Sequence, residues 1–260
     1  MKIEVFWGLF IPFMGTVLGS GCVLFMKNKV NTLLQKGLTG FAAGVMVAAS
    51  IWSLIIPAID QSAKLGKFAF FPTVLGFWIG VGFLFMVDNL TPHLHLTGAK
   101  AEGPKSHLSR ATMLTIAVAI HNIPEGMAVG VVFAGWLSGQ ENISLAGALA
   151  LAIGIAIQNF PDGAIIAMPL RAEGNSRKKS FLAGVLSGID EPIAAIITII
   201  LASTLTPFMP YLLAFAAGAM FYVVVEELIP DASTGEHSDI ASITFSLGFT
   251  IMLVLEVMLG

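Results

Sequence analysis

The chain has 260 residues, 56% of them hydrophobic and 11% charged, with a formal net charge of −3 and a mean hydropathy of +0.88. Soluble domains carry about 25% charged residues, so a large soluble domain is excluded and a polytopic membrane protein is indicated. The single cysteine, Cys22, excludes an intramolecular disulfide and any multi-cysteine zinc site.

A spanning helix needs about 20 mostly apolar residues. Eight runs qualify, at roughly 5–26, 37–59, 68–89, 111–135, 143–169, 180–204, 208–229 and 238–259. The first exceeds a secretory-signal core of about 7–15 residues and reads as a retained helix. The second is rich in glycine, carries Met46 and Ser53, and gives way to Asp60. The third ends at Asp88, before a polar loop at 90–110 holding His93, His95 and His107. That loop reads either as a solvated linker with incidental histidines or as a weak metal-capturing segment. Only Thr206-Pro207 separates the sixth run from the seventh, which closes on Glu226 and Glu227; Glu256 lies inside the eighth. The whole chain, 1–260, reads as one transmembrane domain.

Lysine and arginine set orientation in a membrane. The loops after runs one, three and five hold ten of the 13 basic residues, leaving Lys2, Lys64 and Lys67 for the opposite side. The odd-numbered loops are therefore expected inside and both termini outside, giving an all-α integral membrane protein of eight transmembrane helices.

The chemistry concentrates in the fourth and fifth runs. His121-Asn122-Ile123-Pro124-Glu125-Gly126 returns 37 residues later as Gln158-Asn159-Phe160-Pro161-Asp162-Gly163. Charged side chains at mid-membrane cost about 2.5–3.5 kcal/mol on insertion scales and mark functional sites. Helical spacing puts His121 on one face with Glu125, and Gln158 with Asp162. Pro124 and Pro161 lack the N–H that continues a helix, so kinked or broken helices are expected beside the polar residues. Gly126 and Gly163 allow close helix approach. The sixth run adds Asp190-Glu191-Pro192. Glu125, Asp162 and Glu191, ionised together in low dielectric, repel strongly, and one or two divalent cations would neutralise them. Imidazole with carboxylates suits zinc, iron(II), cobalt, nickel or manganese. Met46 offers a soft thioether or ordinary packing.

These residues resemble the ZIP (Zrt-, Irt-like protein) divalent metal transporters, and bacterial members most. The resemblance covers essentially the whole chain. It implies a mid-membrane binuclear site carried by helices 4, 5 and 6. One position would use His121, Glu125, Gln158 and Asp162, with Met46 contributing; the other would use Asn122, Asn159, Asp162 and Glu191, with Asp162 bridging. Many members have histidine in place of Gln158 and glutamate in place of Asp162. The family pattern further implies an inverted-repeat 3+2+3 bundle, with helices 1–3 related to 6–8 and helices 1, 4, 5 and 6 moving against 2, 3, 7 and 8. It implies a release route through Asp88, Glu226, Glu227, His93 and His95. Asp60, Ser53 and Glu256 would lie on the access side, and Asp190 beside the path. The substrate would be Zn2+, or Cd2+, Fe2+, Mn2+ or Co2+, moved inward across a bacterial inner membrane by a homodimer.

Other readings are weaker on the residues. An intramembrane metalloprotease would use H-E-x-x-H, which is absent, so no enzyme and no catalytic cofactor is expected. No G-x-x-x-x-G-K-[ST] loop is present for ATP drive. A channel, or a proton-linked carrier of a non-metal substrate, would not need an asymmetric chelating cluster. Nothing indicates a nucleic-acid partner.

Overall fold

The computed structural model describes residues 2–25, 31–93, 103–108, 110–172, 174–235 and 238–259. Every element among them is helical. Eight helices are long and apolar enough to cross a membrane: α1 (Ile3–Leu24), α2 (Thr32–Gln61), α3 (Phe70–Leu90), α4 (Ile116–Leu137), α5 (Leu145–Ala172), α6 (Arg177–Ala202), α7 (Thr206–Ser233) and α8 (Ile240–Leu259). The α4 helix itself begins before its apolar span, at Arg110.

Large apolar side chains on the outer surface, such as Trp78, Ile200 and Val257, are exposed, as helices facing lipid require. Lipid tails are as apolar as leucine, so association between such helices relies on close packing and small residues. The sequence supplies them in one recurring form. Glycines four residues apart occur at Gly15 and Gly19 of α1, Gly40 and Gly44 of α2, Gly76 and Gly80 of α3, and Gly126 and Gly130 of α4. Each pair lies against the backbone of one partner helix: Ala156 and Phe160 of α5, Ala241 and Phe245 of α8, Tyr211 and Phe215 of α7, Glu191 and Ala195 of α6. Because both members of every contact advance along the chain together, all four helix pairs run parallel.

These pairs, α1–α5, α2–α8, α3–α7 and α4–α6, are the most extensive contacts in the molecule. Exchanging the first three helices with the last three, and α4 with α5, maps the set onto itself, as an inverted 3+2+3 repeat demands. Further packing of α4 on α5 joins α1, α4, α5 and α6 into one group, and α2 on α7 joins α2, α3, α7 and α8 into another. The groups meet chiefly through α2 against α5 and α4 against α7.

Local helix geometry departs from the sequence reading in an instructive way. Helices α4 and α5 run unbroken through Pro124 and Pro161; of the three helices with a proline beside Glu125, Asp162 or Glu191, only α6 is interrupted, stopping at Ser187 and restarting at Asp190. Two π turns, Ser50–Ile55 in α2 and Val224–Leu228 in α7, occupy matching places in the two repeats. Each is followed by a proline, Pro57 or Pro230. Neither can donate an N–H to the carbonyl four residues earlier, at Ser53 or Glu226, and the wider turn absorbs that defect.

A Cβ at Gly80 would lie 2.0 Å from the Phe215 carbonyl oxygen, whereas one at Gly82 would meet nothing within 4 Å. Gly80→Ala is therefore expected to destabilise the detergent-solubilised protein by about 1–3 kcal/mol, the usual range for overpacking. Gly82→Ala is expected to melt at or above the parent temperature. Equal melting curves for the two variants would contradict glycine-mediated pairing.

Candidate metal centre

The centre is built from adjacent turns of α4 and α5. His121 and Glu125 stack on α4, with His121 Nε2 3.3 Å from Glu125 Oε1. Asp162 approaches from α5, its Oδ2 3.9 Å from the same nitrogen. One ligand atom from each of His121, Glu125 and Asp162 lies within 4.8 Å of the others. Gln158, one turn before Asp162, donates its amide to Glu125 Oε1. Glu125 and Gln158 are fully buried.

Helix α6 adds Glu191 at its closest approach to α4. A Cβ at Gly126 would lie 2.2 Å from the Glu191 carbonyl oxygen, so only glycine permits this spacing. Glu191 is within Coulombic reach of Glu125 and Asp162. Asn159 donates its amide to Glu191 Oε2 at 2.8 Å and to the Pro12 carbonyl of α1 at 3.3 Å. Asn122 donates to the Ser187 carbonyl at 2.7 Å and to Asp190 Oδ1 at 3.4 Å. A backbone carbonyl can only accept, which fixes the NH2 end of each asparagine toward Pro12 or Ser187 and turns its own carbonyl away.

The consequence is a set of bare electron pairs. His121 Nε2, Glu125 Oε2, Gln158 Oε1, Asn159 Oδ1, Asp162 Oδ2 and Glu191 Oε1 are all buried without a hydrogen bond. An unsatisfied buried polar atom costs about 1–3 kcal/mol, and ionised carboxylates add mutual repulsion. Bound divalent cations would satisfy these atoms and offset the repulsion. One imidazole nitrogen, carboxylates and amide carbonyls form a borderline donor set suited to zinc and its first-row neighbours, without the thiolates that would hold an ion permanently.

The remaining sequence candidates fall into three places. Glu227, expected on a release route, reaches the centre itself: its Oε2 lies 3.6 Å from His121 Nδ1. It lines a small cavity of about 40 Å³ with His121, Asp162, Thr39, Val118 and Asp231. Glu226, in the same π turn, is exposed and does not line that cavity. Asp88 and His93 form a separate buried pair, Nε2 to Oδ1 3.0 Å, and the Tyr222 hydroxyl donates to Asp88 Oδ2 at 3.1 Å. His93 is thus packed against the bundle rather than displayed on a loop, while His107 is exposed. His95 lies outside the described residues. At the opposite end, Asp60, Ser53 and Glu256 share a cavity of about 330 Å³ with Trp52, Asn142 and Ser144. There the Ser53 hydroxyl donates to the Glu256 carboxylate. Met46 is fully buried in the apolar core, with its backbone carbonyl accepting from Ser50.

Sequence reasoning missed Tyr222, Thr39 and Asp231. Asp231 follows Glu227 by four residues, a same-face signal on a helix that was overlooked. Tyr222 carries no comparable pattern, since one tyrosine in an apolar run looks like packing.

Eight apolar spans around a buried cluster of histidine, carboxylates and amides define a multi-pass membrane protein. The family model described as ZIP Zinc transporter matches residues 93–256, and the chain belongs to that family. It is 37% identical to the zinc transporter ZIP11 of Xenopus tropicalis, over 98% of this chain and 95% of the relative. It is 34% identical to the human zinc transporter ZIP11, over 97% of this chain and 96% of that protein. The zinc transporter ZIPB of Bordetella bronchiseptica is 35% identical, over 95% of this chain and 79% of the relative.

The amide geometry makes a prediction about the metal-free protein. Asn159→Asp replaces two donated hydrogen bonds with a carboxylate facing the Pro12 carbonyl and Glu191. Measured with chelator present, Asn159→Asp is expected to be less stable than Asn159→Ala by about 1–3 kcal/mol, the penalty for unsatisfied buried acceptors. Equal stability of the two variants would contradict the assigned amide orientation.

Proposed function

We propose that this chain carries Zn2+, or a similar divalent cation such as Cd2+, Fe2+, Mn2+ or Co2+, across the membrane by alternating access to a binuclear mid-membrane centre. The observation that carries the reading is the group of six buried donor atoms from α4, α5 and α6 that make no hydrogen bond. In this reading His121, Glu125, Gln158 and Asp162 hold one ion. Asn122, Asn159, Glu191 and a bridging Asp162 hold the second. Met46 stands in reserve as a thioether from α2.

The two cavities support a path on either side of that centre. The larger one, with Asp60, Ser53 and Glu256, contains none of the proposed ligands, whereas the smaller one includes His121 and Asp162. The ion would therefore leave past Glu227 and Asp231, toward Asp88 and His93. The helix groups α1–α4–α5–α6 and α2–α3–α7–α8 are each bound internally by parallel glycine contacts. A sliding of one group against the other would expose the centre first to one cavity and then to the other. This is the carrier design of inverted repeats with a midplane site.

Direction follows from charge. The basic residues of the odd-numbered loops put the Asp88 end in the cytoplasm and both termini outside. An inside-negative potential then favours divalent cation influx by about 4.6 kcal/mol per 100 mV, twice the value for one charge. A bacterial inner membrane and a homodimer complete the proposal, with no catalytic step.

The test is radiometal flux into proteoliposomes. Glu125→Ala and Asp162→Ala are each expected to abolish saturable zinc uptake while keeping the parent size-exclusion profile. Unchanged uptake in both variants would remove the proposed centre, and uptake that never saturates would favour a channel.

A further inference from the structure

The break in α6 holds a carboxylate that the proposed ligand sets leave without a role. The helix stops at Ser187 and resumes at Asp190. Asn122 of α4 spans this gap: one of its amide N–H groups goes to the Ser187 carbonyl at 2.7 Å, the other to Asp190 Oδ1 at 3.4 Å. Asp190 is half-buried, and its second oxygen, Oδ2, is buried with no hydrogen bond. A carboxylate at this depth is expensive unless it serves a purpose.

We infer that Asp190 is a positioning residue for the second metal position, acting through Asn122. This rests on the metal-centre reading proposed above. An asparagine held by a single bond to Ser187 could swivel about it. The second acceptor, Asp190, ties down the other N–H and fixes the plane of the amide, so the Asn122 carbonyl stays turned away from both acceptors. Because Asp190 immediately precedes Glu191, one short segment of α6 both delivers a ligand and orients the ligand on α4. Gly126 makes the link tight, since it holds α4 against the Glu191 backbone one turn beyond Asn122. Outer partners that orient metal ligands in this way are worth about 10–100-fold in affinity or activity.

The experiment is zinc flux by the full-length protein in proteoliposomes, with Asp190→Asn, Asp190→Ala, Asn122→Ala and the double variant Asn122→Ala/Asp190→Ala. Asparagine at 190 retains a carbonyl acceptor for the Asn122 amide, so Asp190→Asn is expected within about twofold of the parent kcat/KM. Asp190→Ala is expected to lose about tenfold. Because the two residues act as a unit, adding Asp190→Ala to Asn122→Ala is expected to cost less than twofold more. If Asp190→Asn is as impaired as Asp190→Ala, the charge itself matters and the positioning role is overturned. Losses that multiply in the double variant overturn it equally. An Asp162→Ala control separates the levels: if that variant still transports, the metal centre fails and the assignment with it.

Discussion

Everything in this molecule turns on the electrostatics of lone pairs shut away from water. Glu125, Asp162 and Glu191 sit together inside an apolar bundle; Gln158 and Asn159 each donate to one oxygen of Glu125 or Glu191, and Asn122 and Asn159 donate further to the carbonyls of Ser187 and Pro12. What remains is carboxylate and amide oxygen and one imidazole nitrogen, all buried without a hydrogen bond. No lysine or arginine takes part in the ion pairs described around this cluster, which are all between histidine and carboxylate. In the proposed function a mobile divalent cation would answer this imbalance without becoming part of the permanent structure, the property a carrier needs. Thiolates or a full set of histidines would bind more firmly and release less readily.

The backbone is arranged to make such a cluster possible. Parallel pairing through glycines brings helix axes close wherever a glycine meets a partner carbonyl, and Gly126 and Gly163 place two of those contacts beside the ligands. Gly163 lies against Thr16 of α1, the helix whose Pro12 carbonyl receives Asn159. In the proposed centre packing and ligand orientation are therefore one problem: α1 contributes no proposed ligand, yet its Pro12 carbonyl holds the amide of Asn159. The same economy appears in the π turns. Each widened turn sits in the group α2–α3–α7–α8; the one in α2 presents Ser53 to the larger cavity, and the one in α7 presents Glu227 to the centre.

Much of this was legible from residues alone, because lipid imposes simple rules. Apolar run length gave eight spans, and the repeated polar hexapeptide pointed to the buried cluster of His121, Glu125 and Asp162 on α4 and α5. Asp60, Ser53 and Glu256, grouped in the sequence reading, line one cavity. Other features depended on tertiary contacts that sequence cannot display. Pro124 and Pro161 did not break their helices, while α6 breaks at Gly188 and Ile189, just before Pro192. Glu226 and Glu227 look alike in sequence, yet only Glu227 reaches His121. His93 resembled a loop ligand and is instead buried against Asp88. The difference between Glu226 and Glu227 is set by how a π turn rotates neighbouring side chains, an angle that composition and spacing leave open.

The most direct measurement is an anomalous difference map from crystals of the protein soaked in zinc. The account predicts density bounded by His121, Glu125, Gln158 and Asp162, with a second peak between Asn122, Asn159 and Glu191. A map with well-ordered side chains at these positions and no anomalous density among them would contradict it.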